Sequence, residues 1–147
     1  MKRILFVCHG NICRSAAAEY LFRDMAKKAG RDREFAVDSA AVSTEEAGSP
    51  VYPPMRKLLS AEGIDCSGHR ARQITRSDYE NFDMILAMDG RNLRSLERLF
   101  PGDPAHKITL LSEYGSGGEI EDPWYTGNFE KVFCEIRAGL EGLLKRI

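Results

Sequence analysis

Apolar and polar positions along this chain follow two periods, and each switch between them marks a structural element. The first signal is the continuous run Ile4, Leu5, Phe6 and Val7, which suits a strand buried on both faces, as in a parallel sheet. Beyond Ser15 the spacing changes. Ala18, Leu21, Phe22, Met25 and Ala29 keep helical period, and Gly30 supplies a C-terminal stop. The pattern then predicts a strand over 34–40, a helix over 52–62, a short helix over 76–81 and a third strand over 83–88. A helix over 91–100 and a fourth strand over 107–111 follow. Phe129, Val132, Phe133, Ile136, Leu140, Leu143 and Ile147 form one apolar stripe, which reads as a closing core-packed helix. Alternating strands and helices with right-handed crossovers give an α/β fold: one three-layer domain over 1–147, a four-stranded parallel sheet with helices on both faces.

That topology gives the end of the first strand a chemical meaning. Ligands of open α/β sheets bind outside the carboxyl ends of strands, where helix N-termini aim free N–H groups at anions. Cys8 sits there, and Arg14-Ser15 opens the first helix, so the sequence predicts a phosphate loop after strand one. Gly10 and Asn11 tolerate unusual backbone dihedrals and let the loop curl as an anion nest. Arg14 adds a planar fork able to hold two phosphate oxygens. Such surroundings favour the thiolate of Cys8, and a thiolate beside a phosphate site is a nucleophile. The plainer reading is a buried strand-end cysteine.

The spacing Cys, five residues, Arg also occurs at Cys66 and Arg72, and chance supplies roughly 0.4 such matches in a chain of this composition. Context separates the two. No apolar strand leads into Cys66, and Gln73 rather than Ser or Thr follows its arginine.

Phosphate-ester chemistry also needs a proton for the leaving oxygen, and two Asp-Pro pairs compete for that role. Asp103 precedes strand four, which sets it at the sheet edge opposite Cys8, whereas Asp122 follows strand four on the catalytic side. An Asp-Pro is also an ordinary turn. Trp124 and Tyr125 follow directly and suit either a cleft wall or, for Trp124, core burial.

Charge narrows the partners. The 147 residues carry 21 basic and 22 acidic side chains, a net of -1, which predicts neither a nucleic-acid tail nor a membrane-binding stretch. No apolar run reaches transmembrane length, and no signal-peptide core is evident near Met1. Four cysteines without a regular framework fit a reducing, cytoplasmic setting. His9, His69 and His106 do not combine with cysteines at zinc spacing, so neither metal nor cofactor is expected.

The segment CHGNICRS from Cys8 to Ser15 resembles the phosphate loop of the low-molecular-weight protein tyrosine phosphatases, whose pattern is Cys, any residue, Gly-Asn, two residues, then Arg-Ser or Arg-Thr. Chain length, Met88-Asp89 with Asn92, and Asp122-Pro123 before aromatics extend the likeness along the chain. The resemblance implies a metal-independent phosphatase that hydrolyses phosphotyrosine through a phosphocysteine and releases inorganic phosphate. Cys8, Arg14 and Asp122 would be catalytic; His9, Gly10, Asn11, Ile12, Cys13, Arg14 and Ser15 would bind phosphate. Ser15 would also donate to the departing thiolate, or serve only as a helix cap. Trp124 and Tyr125 would wall the cleft.

Asn11, Ser39 and His69 match the family's network bracing the loop, and Asp89 matches its motif after strand three, although each has an ordinary structural role open to it. Arg72 resembles a family arginine, and a surface ion pair explains it as well. The family also carries the neighbour of the nucleophile seen here as Cys13, whose thiol could trap an oxidised Cys8 as a reversible disulfide. Phosphotyrosine proteins are the expected partners, and the chain is expected to be a monomer or weak dimer.

One segment departs from the family pattern. Glu45 and Glu46 stand where Trp and His are expected, which predicts a more acidic rim lacking one aromatic wall and suited to basic or non-peptide substrates. Three other functions compete. An arsenate reductase needs further redox cysteines near 80–90, and none lies between Cys66 and Cys134. A cysteine phosphocarrier needs no general acid, which leaves Asp122-Pro123 without a purpose. A protein-arginine phosphatase of the same fold is the nearest alternative, but that branch tends to carry Thr where this chain has Ile12.

Overall fold

The computed structural model describes all residues 1–147. Four parallel strands, β1 (Lys2–Cys8), β2 (Phe35–Ala41), β3 (Met84–Ala87) and β4 (Ile108–Leu110), lie in the order β2-β1-β3-β4. The helices are α1 (Arg14–Lys28), α2 (Pro53–Ala61), α3 (Arg76–Asn81), α4 (Gly90–Leu99), α5 (Pro123–Thr126) and α6 (Phe129–Arg146). This is the α/β architecture read from the sequence.

Alternation along β1 divides the core. Ile4, Phe6 and Cys8 point into the larger cluster, with Leu21 and Phe22 of α1, Met55 and Leu59 of α2, and Val132, Ile136 and Leu140 of α6. Leu5 and Val7 face the other way, against Ile74, Ile85 and Leu96, with Tyr79 and Phe82 packed alongside. Both faces of the central strand are therefore dry, which explains its unbroken apolar run. The chain leaves β1 toward β2 on one side, while β3 pairs on the other. That reversal opens a crevice at the C-terminal end of β1, directly above Cys8.

Several boundaries move from their predicted places for local reasons. Strand β3 excludes Asp83, whose carboxylate accepts a hydrogen bond from the Arg3 amide at 2.8 Å. It stops before Met88 because Met88 N–H turns to the Asn92 side chain. Helix α4 starts at Gly90, one residue early, because Asp89 caps it in a reciprocal box with Asn92. Strand β4 is only three residues long and half-buried, since a 3₁₀ turn over Leu111–Tyr114 takes over from it. That turn packs against α6 at close range: a Cβ on Gly142 would overlap the Tyr114 carbonyl, and one on Gly139 would crowd Leu111. No helix is long and apolar enough to cross a membrane.

Candidate active site

The loop from Cys8 to Ser15 is held from several sides. Cys8 is 3% exposed, and its Sγ lies 3.0 Å from Ser15 Oγ and accepts from Ser15 N–H at 3.5 Å. Both contacts arise because α1 begins where the loop ends, so its first turn points free donors back at the strand end. Asn11 is buried with φ 60°, a left-handed conformation that turns the loop inward.

Four contacts keep it there. Asn11 Nδ2 donates to Ser15 Oγ at 2.8 Å and to Ser39 Oγ at 2.9 Å, and Asn11 Oδ1 accepts from Arg72 N–H at 3.2 Å. The Asn11 carbonyl meets His69 Nε2 at 2.7 Å. Ser39 in turn donates to the buried Glu19 carboxylate at 2.6 Å.

Arg14 is almost fully buried at 2% exposure, an expensive place for a charge unless it is paired. Its Nη1 donates to Asp89 Oδ2 at 2.7 Å and to the Ile120 carbonyl at 2.9 Å, and Nη2 lies 3.4 Å from Asp122 Oδ2. Burial alone would lower its pKa, but the Cys8 sulfur, Asp89 and Asp122 more than reverse this and hold the guanidinium charged. Asp122 occupies the N-cap of α5, with its Oδ1 accepting from Trp124 N–H at 3.0 Å. Its loop is tied down by Ile120 N–H on the Met88 carbonyl at 2.9 Å and by Glu121 with Lys131 at 2.6 Å.

Cys8, His9, Gly10, Ile12, Cys13, Arg14, Glu45, Glu46, Asp122, Trp124 and Tyr125 line one cleft. Trp124 stands at its rim, 53% exposed, with its ring 4.9 Å from that of Tyr52, so it is not a core residue. Tyr125 is more exposed still. Glu45 Oε2 lies 2.9 Å from His9 Nε2. Cys13 is buried, and burial, then the nearby Cys8 and Asp122, push its thiol pKa well up.

The competing features lie elsewhere. Asp103 accepts from Tyr79 Oη at 2.6 Å and from the Lys107 and Ile108 amides at the start of β4, at the opposite sheet edge. Cys66 is buried in the core. The Arg72 side chain pairs with Asp78 at 2.8 Å and Asp38 at 3.0 Å, so its ion-pair reading describes it, while its backbone amide braces the loop. No group of three or more His, Cys, Asp or Glu is placed to hold a metal ion.

Sequence reasoning missed three contributors. Glu19 reads as a solvated helix position, yet it lies four residues after Ser15, on the same helix face. The Ile120 carbonyl leaves no side-chain signal, and Tyr52 reads only as the start of a helix.

The sequence profile of the low molecular weight phosphotyrosine protein phosphatases matches residues 3–147. The chain is 40% identical to the low molecular weight protein-tyrosine-phosphatase YfkJ of Bacillus subtilis, covering 100% of this chain and 96% of that protein. The crystal structure of YfkJ superposes with a TM-score of 0.96, covering 100% of this chain and 94% of the other. A low molecular weight phosphotyrosine protein phosphatase of Schizosaccharomyces pombe is 40% identical over 99% of this chain and 96% of its own length. A Drosophila arginine phosphatase shares the fold at 32% identity with a TM-score of 0.89, covering 99% of this chain and 97% of that one. The chain thus belongs to the low molecular weight phosphotyrosine protein phosphatase family and is a phosphoric monoester hydrolase of the protein-tyrosine-phosphatase class.

Proposed function

We propose that Cys8 is the nucleophile, Arg14 and the loop amides the phosphate cradle, and Asp122 the general acid of this phosphatase. The observation that carries the assignment is that Cys8, Arg14 and Asp122 line one cleft, with the guanidinium 3.4 Å from the Asp122 carboxylate. The Cys8 thiolate attacks phosphorus in line as the bond from phosphorus to the phenolic oxygen breaks. Arg14 and the N–H groups of residues 9–15 hold the three equatorial oxygens. Asp122 gives its proton to the leaving oxygen, and a phosphocysteine remains. Asp122, now ionised, takes a proton from the water that attacks phosphorus, and the Cys8–phosphorus bond breaks to release inorganic phosphate. Ser15 Oγ, 3.0 Å from Sγ, donates to the departing thiolate. Asn11, Ser39, His69 and Asp89 hold loop and guanidinium in place, while Trp124 and Tyr125 flank the substrate ring.

Phosphotyrosine proteins are the substrates favoured by Ile12, which presents an apolar side chain to the cleft. Four free thiols, three of them buried, support a reducing, cytoplasmic setting.

The test is hydrolysis of an aryl phosphate and of phosphoarginine, with chelator present, by the wild type, Cys8→Ser and Asp122→Ala. Cys8→Ser is expected to be inactive. Asp122→Ala is expected to lose about 10²–10⁴-fold with a poor leaving group and much less with a good one. Activity in Cys8→Ser, or wild-type rates for Asp122→Ala on the poor leaving group, would overturn the assignment. Faster turnover of phosphoarginine than of the aryl ester would move the substrate to the arginine branch.

A further inference from the structure

Glu45, Glu46 and His9 line the same cleft as Trp124 and Tyr125. Each carboxylate is held by one oxygen only: Glu45 Oε2 lies 2.9 Å from His9 Nε2, and Glu46 Oε2 accepts from Ser49 Oγ at 3.0 Å. The second oxygen of each has no partner within the chain. These tethers fix the backbone-distal ends of two flexible side chains at the mouth of the cleft, so a ligand meeting them finds acceptors already in position. The aliphatic part of Glu46 lies close to Gly10, 3.5 Å from where a Cβ on residue 10 would stand. The charge of Glu46 is felt as far in as the Cys13 thiol, where it is among the influences that raise the pKa.

Two basic side chains near these carboxylates already have partners. Arg14 is buried and paired with Asp89 and Asp122, and His9 is held by Glu45. Arg91 lines an adjoining cavity that shares His9, Arg14, Asp122 and Tyr125 with the cleft, and is not among the residues lining the cleft itself. The cleft wall therefore carries two carboxylates, each with one oxygen free of partners within the chain.

We propose that Glu45 and Glu46 are specificity-determining residues, selecting phosphotyrosyl segments with a lysine or arginine beside the phosphotyrosine and rejecting those with acidic neighbours. This rests on the tyrosine-phosphatase reading above. Attraction of one flanking cation to two partly exposed carboxylates is expected to raise kcat/KM about threefold to tenfold, and repulsion of a flanking carboxylate to lower it comparably. Both effects shrink with added salt, because the rim is open to solvent.

Three phosphotyrosyl peptides identical except for Arg, Ala or Glu at the flanking positions test this with wild type, Glu45→Gln and the Glu45→Gln/Glu46→Gln double variant. In the wild type kcat/KM is expected to fall in the order Arg, Ala, Glu, and the spread to narrow at high salt. The double variant is expected to bring the ratio of Arg to Glu peptides close to one, with Glu45→Gln intermediate. Should the double variant fail to fold, Glu45→Gln and the salt series of the wild type decide the matter. Equal turnover of the three peptides by the wild type would overturn the rim assignment alone, as would a spread that survives both substitutions. No turnover of any peptide, with the aryl phosphate also inert, would overturn the phosphatase reading and this one with it.

Discussion

Replacing Asp89 by Asn tests how much of the site depends on one buried ion pair. The two side chains are 2% and 16% exposed, so solvent screens the contact weakly and its 2.7 Å hydrogen bond to Arg14 carries most of its strength. Asn keeps an acceptor for the Asn92 amide, now met by Asp89 Oδ1 at 2.8 Å, so the cap of α4 survives while its amide group turns toward the guanidinium. Loss of a charge-assisted hydrogen bond of this kind costs about 1.5–3 kcal/mol. Leaving a buried charge wholly unpaired costs about 3–5 kcal/mol. Arg14 keeps the Ile120 carbonyl and Asp122, so the lower range applies.

At roughly 2–4 °C per kcal/mol for a domain of this size, Asp89→Asn is expected to melt about 3–12 °C below the wild type. Catalysis is expected to fall as well, because a guanidinium free to swing toward Asp122 no longer presents its fork to phosphate. A misplaced anion clamp of this kind lowers kcat/KM by about tenfold or more. Thermal melts and aryl phosphate kinetics measure both effects. Asp89→Ala is the companion variant and also removes the cap, for about 1 kcal/mol of further loss. An Asp89→Asn protein that melts within about 1 °C of the wild type and keeps its kcat/KM would refute the role given to this pair.

Acid stability follows from the Arg72 cluster. Burial alone would raise the Asp78 pKa, but the Arg72 fork and the Thr75 amide outweigh it and hold the carboxyl below the usual range. A carboxyl depressed in the folded state contributes stability that is present above its unfolded pKa, near ~4, and is lost as pH falls further. The wild type is therefore expected to lose melting temperature between about pH 5 and pH 3, and Asp78→Asn to show a shallower slope there; equal slopes would count against the cluster. For Cys13, peroxide treatment is expected to give a Cys8–Cys13 disulfide that forms faster as pH rises, because burial keeps the Cys13 thiol protonated at neutral pH. Absence of that crosslink in peptide mass spectra, or recovery of Cys13→Ser from peroxide as complete as that of the wild type, would remove Cys13 from any protective role.

What could be read from the sequence is what is local. The run from Ile4 to Val7, the loop and the start of α1 are contiguous, and their chemistry depends on neighbours within a few residues. Asp122 was legible for a different reason: chain order put it on the Cys8 side of the sheet and Asp103 on the other, while the family resemblance implied its role as acid. Helix α5 was missed because four residues carry no period, although an aspartate before a proline is a helix-start signal as well as a turn signal. Glu19 was illegible because a carboxylate between Ala18 and Tyr20 looks solvated until Ser39, 20 residues away in sequence, is brought against it. The tether of Glu45 to His9, across 36 residues, is of the same kind: the composition of the rim could be predicted, its geometry could not.

Those long-range contacts explain why the loop can stand ready before phosphate arrives. A residue such as Asn11 at φ 60° costs about 1–3 kcal/mol. Asn11 is instead fixed through every polar group of its side chain and through its carbonyl, by partners on α1, on β2 and in the segment between α2 and α3. Each partner is anchored in turn: Ser39 by Glu19, Arg72 by Asp38 and Asp78. Because the cost of curling is met by contacts outside the cleft, phosphate binding does not have to supply it. On the proposed assignment the loop N–H groups would then serve the charge that develops on the equatorial oxygens. On the proposed assignments the domain divides labour: the braced loop would hold the phosphate, and discrimination would fall to Glu45, Glu46, Trp124 and Tyr125 in the cleft wall.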